Sequence, residues 1–145
     1  MKHALIAALA ASCAISSTAS AKDFVVEMRN SGTDGMMVFQ PALTSVGVGD
    51  RVIFKATNPS HDAASIPTMM PAGAKPFTGK ISQDVTVTFT VPGFYGIKCT
   101  PHFGMGMVAL IKVGKPTNGE QVAQAATKLP PMARKRLLAA FAKAK

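Results

Sequence analysis

Glycine and proline divide residues 22–116 into short apolar segments, and this division most limits the fold that the chain can adopt. Residues 84–90 alternate Val85, Val87 and Phe89 with hydroxyl-bearing residues, which is the period of a strand with one buried face. Other β-prone segments lie at 24–28, 36–43, 51–56, 94–98 and 108–113. Short strands between such turns predict an all-β Greek-key sandwich or barrel of about eight strands.

Residues 117–145 follow a helical period instead. The segment Thr-Asn-Gly-Glu at 117–120 fits a capping box that begins a first helix, and two prolines at 130–131 end it. In a second helix from Pro131, one stripe contains Ala133, Leu137, Ala140, Phe141 and Ala144. We expect both helices to pack over the β domain, because sheets need their edges covered. A basic membrane-surface helix, with Arg134, Lys135 and Arg136 facing lipid, is the alternative.

The first 21 residues have the features of an export signal. A short cationic start at 1–3 precedes an apolar run at 4–15, and Ala19, Ser20 and Ala21 form an Ala-x-Ala cleavage pattern. The run is shorter than the roughly 20 apolar residues of a membrane anchor. We therefore predict a cleaved signal peptide at 1–21, a β domain at 22–116, and a helical extension at 117–145 on the same domain.

The chain is basic, with 16 lysines and arginines against 7 acidic residues and a formal net charge of +9. Residues 117–145 hold six of the basic residues and one acidic residue. A basic surface attracts acidic proteins, anionic lipid or nucleic acid. Export and the lack of a basic motif interleaved with aromatic residues exclude nucleic acid as the expected partner.

Three side chains with metal-binding atoms lie close together, at Cys99, His102 and Met107. Outside residues 1–21, Cys99 is the only cysteine and His61 is the only other histidine. Two histidines and a cysteine with a weak axial methionine form the ligand set of copper sites that transfer single electrons. We predict that His61, Cys99, His102 and Met107 bind one copper ion, Cu(I) or Cu(II).

Other methionines could also supply soft ligands, but flexible thioethers more often fill gaps or line contact surfaces. We interpret them as packing or surface residues: Met36, Met37, Met69, Met70 and Met105.

Three other functions use similar residues. A nucleophilic Cys99 with a histidine base would indicate an enzyme, but no orienting third residue is evident and Met107 would have no role. Zinc also binds cysteine and histidine. A copper carrier or storage protein without a redox shuttle role would use a similar soft ligand set in an exchangeable site. We predict electron transfer without enzymatic activity and keep copper storage as the alternative.

The spacing Cys-x-x-His-x-x-x-x-Met at 99–107 and the run Pro-Gly-Phe-Tyr-Gly-Ile-Lys-Cys at 92–99 resemble the cupredoxins and, within them, the pseudoazurins. With two helices at the end, the resemblance extends over nearly all of residues 22–145. The family usually has asparagine after the first histidine ligand, whereas this chain has Asp62.

This resemblance implies a type 1 blue copper protein that is a soluble, monomeric electron carrier of the periplasm. Its expected partners are redox proteins with acidic docking surfaces, namely a cytochrome-like donor and a denitrification enzyme such as copper nitrite reductase as acceptor. The edge of His102 would be exposed in an apolar patch where these partners dock.

Overall fold

The computed structural model describes residues 20–145, which form two four-stranded sheets and two α-helices. The strands are β1 (Asp23–Gly32), β2 (Gly35–Gln40), β3 (Leu43–Val46), β4 (Arg51–Lys55), β5 (Ala64–Ser65), β6 (Val85–Thr88), β7 (Gly93–Lys98) and β8 (Val108–Val113), and the helices are α1 (Gly119–Ala126) and α2 (Pro131–Lys143). This architecture confirms the predicted all-β sandwich with two terminal helices. Except for its last two residues, the predicted signal peptide lies outside the described residues.

The strand order brings distant segments together at one end of the sandwich. One sheet has the order β2-β1-β4-β6 and the other has the order β3-β8-β7-β5. In the second sheet, β7 and β8 are antiparallel, with Lys98 opposite Val108 and Gly93 opposite Val113. The loop at 99–107, which contains the predicted ligands Cys99, His102 and Met107, therefore closes this hairpin.

Strand β8 is apolar on both faces because both faces are covered. Ala109, Ile111 and Val113 belong to the core between the two sheets, whereas Val108 and Leu110 belong to a second core under the helices. A strand covered on both sides loses the alternation of a half-exposed strand and becomes a continuous apolar run. The apolar run at 108–111, which precedes Lys112, therefore reflects the helices packed on this sheet.

The predicted stripe of α2 is buried against this sheet. Its five members have 7% or less of their surface exposed: Ala133, Leu137, Ala140, Phe141 and Ala144. The Phe141 ring packs edge-on against Phe94 of β7, with ring centroids 5.1 Å apart. In the structure, this stripe therefore packs over the sheet. Within residues 20–145, no helix has the length and hydrophobicity needed to span a bilayer.

The predicted capping box is wrong. The first residue before α1 is Asn118, and no side chain caps the helix. Instead, the Asn118 side chain accepts a hydrogen bond from the backbone N–H of Phe94 at 2.8 Å and donates one to the Phe94 carbonyl at 2.9 Å. Because this amide is committed to β7, it ties the start of the helical segment to the sheet.

Candidate metal centre

The loop at 99–107 is held closed by its own backbone. The N–H of Cys99 donates to the carbonyl of Met107 at 3.0 Å, and the N–H of Met107 donates to the carbonyl of His102 at 3.2 Å. A short 3-10 turn at Phe103–Met105 reverses the chain and ends at Gly106, whose φ is +85°. Glycine suits this position because a residue with a β-carbon rarely adopts that conformation.

Three of the four predicted ligands meet beside this loop. The Nδ1 atoms of His61 and His102 are 3.1 Å apart, and the Cys99 Sγ lies 3.7 Å from the first and 3.5 Å from the second. His61 comes from the segment between β4 and β5, so the fold joins residues far apart in sequence. The three atoms form a nearly equilateral triangle.

The triangle has the size that a metal ion requires. A point equidistant from the three atoms lies about 2.0 Å from each of them, close to the roughly 2.0–2.3 Å of metal–nitrogen and metal–sulfur bonds. The donor set of two imidazoles and one thiol suits copper or zinc. The residues present therefore fit a metal ion, which His61, Cys99 and His102 would hold together.

Met107 is adjacent to this triangle through the backbone. Its side chain is completely buried in the core between the sheets, and its peptide is hydrogen-bonded to both Cys99 and His102. Met105, two residues earlier, has 50% of its surface exposed. Of the two methionines in the loop, Met107 is thus the one enclosed with the other predicted ligands.

Asn30 fixes the orientation of His61, and sequence reasoning missed it. The Asn30 Oδ1 lies 2.8 Å from His61 Nε2, so the Nε2–H donates to the amide oxygen and leaves Nδ1 free to bind metal. Burial lowers the pKa of His61, and the neighbouring His102 lowers it further. Both effects favour the neutral imidazole that a metal ligand must be.

Burial raises the pKa of the Cys99 thiol above its ordinary value, although the backbone N–H groups of Asp62 and His102 counteract this by donating hydrogen bonds to the sulfur. A metal stabilises the thiolate and releases the proton when it binds. Cys99 is a free thiol with no exposed surface. Since reactive cysteines are typically accessible and have a lowered pKa, this environment suits a ligand better than a nucleophile.

Asp62 connects the two ligand segments. Its carboxylate accepts a hydrogen bond from the backbone N–H of Thr100 at 2.5 Å, and only 4% of its surface is exposed. The position between His61 and the 99–107 loop is the one expected for the family's asparagine. A carboxylate makes the same bond to Thr100, but it adds a negative charge close to the Cys99 sulfur that an amide would not add.

Arg136 is the second residue that sequence reasoning missed. The sequence grouped it with Arg134 and Lys135 as basic residues off the apolar stripe of α2, with a lipid-facing helix as the alternative. In the structure, the Arg136 side chain faces the protein rather than lipid. Its guanidinium donates to backbone carbonyls of β2 and of the 99–107 loop. Nothing in the sequence indicated this, because a backbone carbonyl accepts hydrogen bonds whatever the residue type.

Comparison with known proteins agrees with this geometry. Residues 26–114 match the family model of copper-binding proteins of the plastocyanin/azurin family. The chain is 43% identical over 140 residues to pseudoazurin from Paracoccus pantotrophus, covering 97% of this chain and 96% of the relative. It is 45% identical over 114 residues to pseudoazurin from Methylorubrum extorquens, covering 77% of each.

Solved structures give the same result. The fold matches native pseudoazurin from Hyphomicrobium denitrificans with a TM-score of 0.79 and 43% identity, covering 83% of this chain and 97% of that structure. The chain therefore belongs to the plastocyanin/azurin family of copper-binding proteins and, within it, to the pseudoazurins, which carry electrons and are not enzymes.

Proposed function

We propose that the mature chain is a one-electron carrier of the periplasm, with one copper ion bound by His61, Cys99, His102 and Met107. The observation that carries this proposal is the triangle of two Nδ1 atoms and one Sγ, because its size matches a trigonal metal site. The family relationship supports copper rather than zinc as the metal. Residues 1–21 would direct export and then be removed.

The ligands are preorganised by their neighbours. Asn30 holds the His61 ring, and backbone hydrogen bonds hold the 99–107 loop. A trigonal copper site with a distant thioether gains or loses one electron with little change in geometry. Rigid support of this kind keeps the side chains in place in both oxidation states, which favours rapid transfer over the exchange of copper that a storage protein needs.

His102 is the expected point of electron entry and exit. It is the partly exposed member of the triangle, whereas His61 and Cys99 are buried. Around it lie exposed Pro101 and Gly104 and half-exposed Met105. An exposed surface formed by apolar residues allows a partner to approach the ring edge closely without the cost of desolvating charged groups.

Copper loading tests this function directly. The mature protein with one equivalent of Cu(II) should develop an intense visible band, and that band should disappear and return in a reversible one-electron titration. A storage protein would instead lose its copper readily to a chelator in at least one oxidation state. Colourless loaded protein, or a titration that releases copper, would overturn the electron-carrier proposal.

For the partner, we propose redox proteins with acidic docking surfaces, such as a cytochrome-like donor and a copper nitrite reductase of denitrification as acceptor. The support is a positive charge close to the site. Lys98 precedes Cys99, and its Nζ lies 5.3 Å from the centroid of the Phe103 ring in the 99–107 loop. A charge at the rim of an interface steers the approach of an oppositely charged partner.

We predict that Lys98→Gln slows electron transfer to an acidic acceptor about 2- to 5-fold at low salt. The loss is a fraction of the roughly 10- to 1,000-fold enhancement that a whole charged surface can provide. Lys115→Gln is the matched control. It removes the same charge just after the far end of β8. That strand end lies about 17 Å along the sheet from Lys98, which is beyond the Debye length of about 8 Å in physiological salt.

Stopped-flow rates across a salt series measure both variants. The electron-transfer rate of Lys98→Gln should depend less on salt than the wild-type rate. The rate of Lys115→Gln and its salt dependence should equal those of the wild type. Equal losses in the two variants would show that the partner responds to the net charge of the protein rather than to the end that holds the metal site.

A further inference from the structure

Arg136 of α2 binds four backbone carbonyl oxygens. One terminal nitrogen donates to Met37 at 2.9 Å and to Gly106 at 3.0 Å, and the other donates to Asp34 at 3.1 Å and to Met36 at 3.0 Å. The ion pairs of the described chain, Arg29–Glu27 and Arg51–Asp23, do not include it. The guanidinium therefore joins three segments through their backbones: α2, the β1–β2 hairpin and the 99–107 loop.

The contact with the loop lies next to the proposed axial ligand. Gly106 directly precedes Met107, and the carbonyl that Arg136 binds belongs to the peptide group between them. Met132, one turn earlier in α2, packs on the same glycine so closely that a β-carbon at Gly106 would clash with the Met132 Cγ. Helix α2 thus contacts the loop through one polar side chain, Arg136, and one apolar side chain, Met132.

Arg136 contacts the β1–β2 hairpin next to a residue with an unusual backbone conformation. Met37 has a φ of +51°, which is uncommon for a residue with a β-carbon. Arg136 binds the carbonyls of Met36 and Met37, before and after this position. The Met37 side chain packs against the core that contains Cys99 and Met107. The arginine therefore binds both sides of a strained residue in β2, and the side chain of this residue contributes to the packing around the site.

We propose that Arg136 is a positioning residue for the metal centre, which fixes the Gly106–Met107 peptide relative to the β1–β2 hairpin. Through it, the C-terminal helix becomes part of the frame that sets the position of Met107. This inference rests on the ligand set proposed above. Lysine could keep the charge, but its single ammonium group cannot reproduce the planar fork that reaches four carbonyls.

The test compares Arg136→Gln and Arg136→Lys with Arg134→Gln, which removes one positive charge from an exposed position of the same helix. Each protein is loaded with Cu(II), and its visible spectrum, reduction potential and rate of copper loss to a chelator are measured. Changes around metal ligands typically weaken metal retention about 10- to 100-fold. We expect Arg136→Gln to lose copper about 10-fold faster, with altered band intensities and a shifted potential.

Arg136→Lys should show the same changes to a smaller extent, and Arg134→Gln should match the wild type. Arg136→Lys also serves as the test if the glutamine variant does not fold. Wild-type spectrum and potential in the Arg136 variants, with only a lower melting temperature, would reduce the residue to a purely structural role. A colourless wild type would overturn the proposed function as well, so the two failures are distinguishable.

Discussion

Cys99→Ala should abolish the intense visible band of the copper-loaded protein and greatly weaken copper retention. Cys99 supplies the single thiolate of residues 22–145, and its sulfur is one corner of the triangle that surrounds the metal position. The remaining imidazoles can still bind Cu(II), but the strong colour arises from the copper–thiolate bond. Absorption spectroscopy and a competition assay with a chelator measure the two effects.

The methionines of the loop provide the contrast. Met107→Gln should keep copper bound and retain a visible band but shift the reduction potential, because an axial ligand tunes the site more than it holds the metal. Met105→Gln should leave copper binding, the visible band and the reduction potential unchanged, since half of the Met105 surface is exposed. Full colour in Cys99→Ala would refute the site, and a larger potential shift in Met105→Gln would identify Met105 as the axial ligand.

The proposed ligands His61, Cys99 and His102 could be selected from the sequence because their chemistry is rare in this chain. With residues 1–21 set aside, one thiol and two imidazoles leave no choice of partners for a copper site of this kind. The structure brings these atoms within metal-binding distance of one point. Met107 was harder, because residues 22–145 contain eight methionines that offer the same atom. Its selection depended on its spacing from Cys99 and His102.

The supporting residues could not be predicted in this way. Asn30 binds His61 through a contact between residues 31 positions apart, and Arg136 binds carbonyls about 100 positions away. Neither contact follows a helical or strand period, and a carbonyl acceptor leaves no mark in the sequence. The same limit explains Asn118, whose local sequence fits a helix cap but whose side chain binds Phe94 across the fold.

Among the elements of the fold, those with a clear period were predicted best. The buried stripe of α2 and the strand β6 follow directly from the spacing of apolar residues. The strands β3 and β5, with four and two residues, were not recognised. In such short segments, backbone pairing with β8 and β7 decides the structure, and a strand period has no room to repeat.

The last prediction concerns the helical segment, which we propose to be part of one cooperative unit with the β sandwich rather than an appendage. Leu137 is completely buried in the core formed by α1, α2 and the outer face of β7 and β8. Leu137→Ala removes three buried carbon atoms and leaves a cavity, so the free energy of unfolding should fall by about 2–5 kcal/mol. Denaturant unfolding monitored by circular dichroism measures the change.

Leu138→Ala is the matched control, because this neighbour is 37% exposed and its truncation should change stability by less than about 0.5 kcal/mol if it follows typical surface positions. In both variants, loss of the visible band and loss of helical signal should coincide, as two-state unfolding requires. A Leu137→Ala protein whose helical signal melts first, while the copper band persists, would show that the helices unfold independently of the metal site. Such a result would also conflict with the role assigned to Arg136, because an unfolded α2 could not hold the Gly106 carbonyl.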